Sequence, residues 1–261
     1  MAERRIDLGR ARILVSNDDG IGSPGIALLE NIARELSPDV WVVAPEQEQS
    51  AASHSLTVRR PLRLEPAGPR RYAVDGTPTD CILLAVKRVL SDRPPDLVLS
   101  GVNAGANLAD DLNYSGTVAA AMEAALLGIP AIALSQHFLD GGRIPWETAA
   151  AFAPETIRRL VKQPWPPHTL MNVNFPAASP ERVKGIAATS QGKRDITDNL
   201  AEGVDPRGHP YFWIGPTPES PIAEPGTDLA AVNDFYVSVT PLNLDLTNVP
   251  VLAGLRKVLE R

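Results

Sequence analysis

The stretch ILVSNDDGIGSPGI, residues 13–26, decides how this chain folds and where its chemistry lies. The apolar run RILVS, residues 12–16, has the length and composition of a buried strand. It stops at Asn17-Asp18-Asp19-Gly20, and a helix signal follows at once. Ser23 suits the N-cap and Pro24 the first helical position. Ile26, Leu29, Ile32, Ala33 and Leu36 then recur on one helical face. Between strand and helix stand two adjacent carboxylates, which repel each other and call for either open water or a cation. NDDG is also good turn chemistry, because Asn, Asp and Gly all favour turns. The stretch alone leaves turn and site open.

Outward from it the pattern repeats. VWVVAP (40–45) is a second apolar strand, followed by the polar segment EQEQSAASHSLT (46–57). Thr77 can cap a helix that Pro78 starts, with Asp80 in its first turn. PDLVLSGVN (95–103) is a third strand, AGANLADDLNY a loop, and SGTVAAAMEAALLG a helix ended by Gly128. IPAIALS (129–135), a helix over about 146–162 and the strand TLMNVNFP complete the series. Strands that are continuous apolar runs, alternating with helices, predict an α/β fold with a mostly parallel sheet covered on both faces, hence three layers.

After about residue 178 proline and glycine become dense and helical periodicity fades. DPRGHPYFWIGP has a turn followed by an aromatic strand, GTDLAAVNDFYVSVTPL ends in a β-branched strand, and TNVPVLAGLRKVLER is a terminal helix. The expected organisation is a catalytic core over 1–185, extended hairpins over 186–240, and a C-terminal helix over 241–261 that packs on the core or on a partner subunit. An isolated hairpin is marginal in water, so the hairpins predict a homo-oligomer, a dimer or tetramer.

Bulk properties narrow the function. The 261 residues carry a net charge of −6 with no basic block, which argues against a nucleic-acid polymer as partner. The single cysteine, Cys81, excludes a cysteine-rich zinc site and reads as an inert core residue within TDCILLAV. No window approaches the roughly 18 continuous apolar residues of a membrane span. No apolar segment of signal type precedes the first strand, so the expected location is cytoplasmic.

Ligands of open parallel sheets bind beyond the carboxyl ends of the strands. Asn17-Asp18-Asp19 stands at the first such end. Gln49, Ser50, Ser53 and His54 follow the second; Asn103, Asn107, Asp110 and Asp111 follow the third. Oxygen-only donors suit magnesium, manganese or calcium rather than zinc. Asp18 and Asp19 supply the charge, and Ser50 and Asn103 are candidate neutral ligands. Read separately, Ser50 is an ordinary loop serine and Asn103 a turn residue; their joint placement at consecutive strand ends favours a site. Ser115-Gly116-Thr117 opens a helix whose unpaired amides offer an anion site, or else Ser115 is simply the cap. Of the histidines only His54 falls in a site segment, as a substrate contact, an acid–base group or a surface residue. Glu123, inside the third helix, reads as a structural or solvent-facing group.

ILVSNDDGIGSPGI, VVAPEQEQSAASHSLT, VDGTPTDC, DLVLSGVNAGANLADDLNYSGTVAAAMEA, DPRGHPYFWIG and GTDLAAVNDFYVSVTPL together resemble the SurE family of metal-dependent 5′/3′-nucleotidases, in order and over nearly the whole chain. The resemblance implies a Rossmann-like core and a C-terminal part that pairs or exchanges hairpins between subunits. It implies hydrolysis of nucleoside monophosphates, and for some members action on polyphosphate ends. It assigns one divalent metal per subunit, magnesium or manganese, to Asp18, Asp19, Ser50 and Asn103. Asn107 and Ser115-Gly116-Thr117 take the phosphate side, with Asn17 and His54 as further substrate-side candidates. Family members usually have glycine after the metal-binding serine; Ala51 stands there, which puts the shape of the 47–55 loop and the substrate preference in question. Asp18 and Asp19 are the candidate catalytic residues, as ligands or with one as covalent nucleophile. The absence of D-x-D spacing favours shared ligation. A non-catalytic, metal-assisted nucleotide-binding regulator is the alternative of a different class.

Overall fold

A computed structural model describes residues 5–139, 141–194, 200–214 and 223–260. The first strand, β1 (Arg12–Ser16), lies in the middle of a nine-stranded sheet. On one side come β2 (Asp39–Pro45), then β4 (Arg71–Val74) and β3 (Leu64–Gly68). On the other side come β5 (Leu97–Ala104), β6 (Ala131–Gln136), β7 (Thr169–Phe175), β11 (Tyr236–Asn243) and β8 (Gly185–Ala188). β4, β2, β1, β5, β6 and β7 run parallel, so their carboxyl ends share one edge. β3 is antiparallel to β4, and β11 antiparallel to β7.

Successive strand residues feed opposite layers. Ile13 and Val15 pack with α1 (Pro24–Leu36) and α4 (Trp146–Leu160), while Leu14 packs with α2 (Pro78–Leu84) and α3 (Gly116–Leu126). This is why the strands read as continuous apolar runs: both faces are dry. The helix starts follow the expected chemistry. The Ser23 side chain accepts from the Ile26 N–H. Thr77 and Asp80 form a reciprocal capping box. Cys81 is fully buried with a free thiol, as expected of a core residue. No helix among the described residues is long and apolar enough to cross a membrane.

Two expectations change. The edge strand β3 and its neighbour β4 were not legible, because their residues are mostly exposed or half-exposed. The 186–240 region is not all projecting hairpin, since β8 and β11 belong to the main sheet. Val237 and Val239 bury into the core, and Ser238 and Thr240 share hydrogen bonds with Thr189. That period-two alternation marks a strand with two different faces; the strand itself is legible in its β-branched residues, but its place in the main sheet is not. Among the described residues only β9 (Leu200–Val204) and β10 (Pro210–Ile214) form a separate antiparallel pair. Between β8 and β11 lies the short α5 (Asp228–Asn233), and α6 (Val249–Leu259) closes the chain. Of the expected hairpin region, residues 195–199 and 215–222 lie outside the described residues.

Candidate functional site

The site grows from the end of β1. Asn17 is fully buried and donates through Nδ2 to the Gly20 carbonyl and to Ser23 Oγ, 3.0 and 2.8 Å away. It therefore ties the turn to the cap of α1. Its Oδ1 is buried without a partner among the described residues.

Asp18 and Asp19, in the bend that follows β1, point to different elements. Asp18 turns to α3. Its Oδ1 accepts from Thr117 Oγ1, and the Thr117 amide also stabilises the carboxylate. A Cβ at Gly116 would lie 2.7 Å from Asp18 Cβ and 2.8 Å from Oδ2, so only glycine leaves room for this carboxylate. Asp19 turns to β5, where Oδ2 accepts from the Ala104 N–H at 3.3 Å. Asn103 precedes Ala104 at a register break in β5, and its Nδ2 donates to the Gly105 carbonyl at 2.9 Å. That bond uses Nδ2 and leaves Oδ1 as the atom that could meet a cation.

The electrostatics are unusual. Burial pushes the Asp18 carboxyl up to about 6; the Thr117 hydrogen bond opposes this and the charge on Asp19 adds to it. Burial also raises Asp19, opposed by the Ala104 N–H and reinforced by repulsion from Glu48. Among the described residues no Lys, Arg or His side chain forms an ion pair with either carboxylate. Nor, among the described residues, do three or more His, Cys, Asp or Glu side chains converge as a self-sufficient metal cage. Two uncompensated carboxylates with amide and hydroxyl oxygens fit a hard divalent cation, for which neutral oxygens complete the shell. Asp18, Asp19, Asn103 and Ser50 are the residues that would hold it.

The remaining candidates separate. Ser50 is joined to the centre through its neighbour, since the Gln49 N–H donates to the Asp18 carbonyl at 2.8 Å; its own Oγ donates to Glu48 Oε1 at 2.8 Å. Ala51 adopts φ 58°, the left-handed conformation that makes glycine the easier residue. Asn107 is buried in an amide network: Nδ2 donates to Ser135 Oγ, its N–H to Asn174 Oδ1, and its carbonyl accepts from Asn172 and Asn174. Ser115 is the N-cap of α3 and accepts from the Val118 N–H. His54 Nε2 lies 3.0 Å from Glu123 Oε2. Glu48 went unassigned in the sequence, where Glu123 reads as a structural or solvent-facing group. Glu123 stands seven residues after Gly116, on the same helical face, and that spacing was the available signal.

The architecture is that of a three-layer α/β protein with an acidic, oxygen-only site at the carboxyl edge of its sheet. A family model described as survival protein SurE matches residues 13–198, and the chain belongs to the SurE family. It is 57% identical over 242 residues to the 5'-nucleotidase SurE of Paramagnetospirillum magneticum, covering 93% of each chain. It is 50% identical over 252 residues to that of Rhodospirillum rubrum, covering 95% of this chain and 96% of the other. The crystal structure of the SurE protein from Aquifex aeolicus superposes with a TM-score of 0.82 at 42% identity, covering 94% of this chain and 98% of that one.

Proposed function

We propose that the protein is a divalent-metal-dependent phosphomonoesterase that hydrolyses nucleoside monophosphates to nucleoside and phosphate. The observation that carries this reading is the pair Asp18–Asp19 at the sheet edge, with no basic side chain paired to it among the described residues and with Asp18 seated against Gly116 and Thr117. The names of the relatives, 5'-nucleotidase SurE, support the substrate class.

In this reading Asp18, Asp19, Ser50 and Asn103 hold the ion. When bound, the ion supplies positive charge to the phosphoryl oxygens and favours attack of water on phosphorus. Thr117 fixes the orientation of Asp18 through Oδ1, which leaves Oδ2, on the Gly116 side, for ligation. The start of α3 serves the site in two ways. The Thr117 and Val118 amides are engaged by Asp18 and Ser115, while the Gly116 N–H, at the positive end of the helix, remains for a phosphoryl oxygen. The Asn107 network holds the loop that leads into α3 and thereby sets where that amide points.

Phosphate release from AMP or GMP that stops with EDTA and returns with magnesium or manganese is the expected result. A panel including 3′-mononucleotides and short polyphosphate defines the range. Asp19→Asn is expected to lower turnover by on the order of a hundredfold or more, as loss of a metal ligand should; near-wild-type activity at limiting metal would overturn the site. Tight nucleotide binding without phosphate release would instead identify a binding regulator.

A further inference from the structure

The loop that carries Ser50 is held in a shape it would not choose. Ala51 and Ser53 both sit in the left-handed region, at φ 58° and 52°, where a side chain meets the backbone unfavourably. Such a conformation persists only where the surroundings over-determine it. Three ties hold it at the backbone. The Gln49 N–H donates to the Asp18 carbonyl, the Ser53 N–H to the Tyr114 carbonyl, and Ser53 Oγ to the Asn113 carbonyl. The far end is fastened to the start of α2 by the Thr57 N–H on Asp80 Oδ1 and by Thr77 Oγ1 on the Ser55 carbonyl.

Between these ends the one side-chain tie to α3 is His54 on Glu123. Glu123 is buried to 11% side-chain exposure in an alanine-rich helix. An isolated buried carboxylate is unfavourable, and among the described residues its partner is His54 alone. Ser50, by contrast, is exposed, and its hydroxyl reaches only Glu48. Among the described residues no side chain of the core holds Ser50, so its position depends on the loop on both sides of it: Gln49 before it, tied to Asp18, and the residues up to His54 after it.

We propose that Glu123 is a positioning residue for the metal-side loop: by holding His54 it keeps residues 47–55, and with them Ser50, in the shape the site uses. The same helix thus serves the site twice, orienting Asp18 with its first turn through Thr117 and the Ser50 loop with its third through Glu123. This inference rests on the proposed ligand role of Ser50.

The test measures Mn²⁺ affinity directly by titration calorimetry on the full chain, with the thermal midpoint of the metal-free protein recorded alongside. Glu123→Ala and His54→Ala are each expected to weaken Mn²⁺ binding about tenfold, as loss of an outer support of a metal site does. The double variant should be no weaker than either single one. Glu123→Gln, which still hydrogen-bonds the imidazole, should recover most of the affinity. A lowered midpoint with unchanged Mn²⁺ affinity in Glu123→Ala would overturn the proposal, as would additive losses in the double variant. If Glu123→Ala does not fold, His54→Ala and Glu123→Gln decide alone, and unchanged affinity in His54→Ala overturns it. Ser50→Ala separates the two readings. If it weakens binding while the His54 and Glu123 variants do not, this proposal alone fails. If it leaves binding unchanged, the ligand role of Ser50 fails and takes the proposal with it.

Discussion

Asp18 carries a charge that the fold by itself disfavours. Its carboxyl is held at about 6 against an ordinary 3.8, mainly by burial. A folded pKa above the unfolded one means that the metal-free fold is favoured below about 3.8 and loses that advantage as pH rises through about 6. The shift corresponds to about 3 kcal/mol at neutral pH, as an order of magnitude. Metal-free Asp18→Asn is therefore expected to unfold at a higher temperature than wild type at pH 7, with the gap closing towards pH 4; thermal scans with EDTA across that range check it. Ala51 is the second residue under strain. Ala51→Gly removes the left-handed penalty and should stabilise the protein by about 1 kcal/mol, read as a higher urea midpoint; a lower midpoint would show that the loop tolerates alanine without strain. The charge anomaly at Asp18-Asp19 was legible in the sequence because adjacent carboxylates after an apolar run are rare chemistry. The pairing of His54 with Glu123 was not, since it joins residues 69 apart through loop geometry that no local pattern encodes.

Elements in this fold approach closely where side chains are smallest. Gly25 in the first turn of α1 lies against the Val102 carbonyl of β5, so that a Cβ there would overlap backbone. This contact fixes α1 behind the Asp18-Asp19 turn, and Asn17 reinforces it by bonding the Ser23 cap. Gly25→Ala is expected to lower stability by about 1–3 kcal/mol, the usual range for overpacking, and to weaken metal binding by shifting the turn; calorimetry with and without Mn²⁺ separates the two effects. Most elements were legible from apolar runs, caps and prolines. The edge pair β3–β4 was not, because a half-exposed strand loses the apolar signature that burial imposes.

The whole molecule leaves apolar surface uncovered. Tyr211, Phe212, Trp213 and Ile214 of β10 are all exposed, the last at 84%, and no residue of α6 is buried. Such a run of exposed aromatic surface is characteristic of an interface. The protein is expected to be a dimer or tetramer at micromolar concentration by light scattering, and Trp213→Ser is expected to shift it towards smaller species. A monomeric mass for the wild type would count against this. By itself the sequence determined the parallel core, the helix starts and the acidic strand end, because periodicity, capping and adjacent like charges are local and leave local marks. Only the tertiary structure decided that β11 and β8 join the sheet, that Thr117 bonds Asp18, and that Glu123 pairs with His54. Those contacts bring together residues far apart in the chain, and burial, which selects them, exists only once the layers have closed.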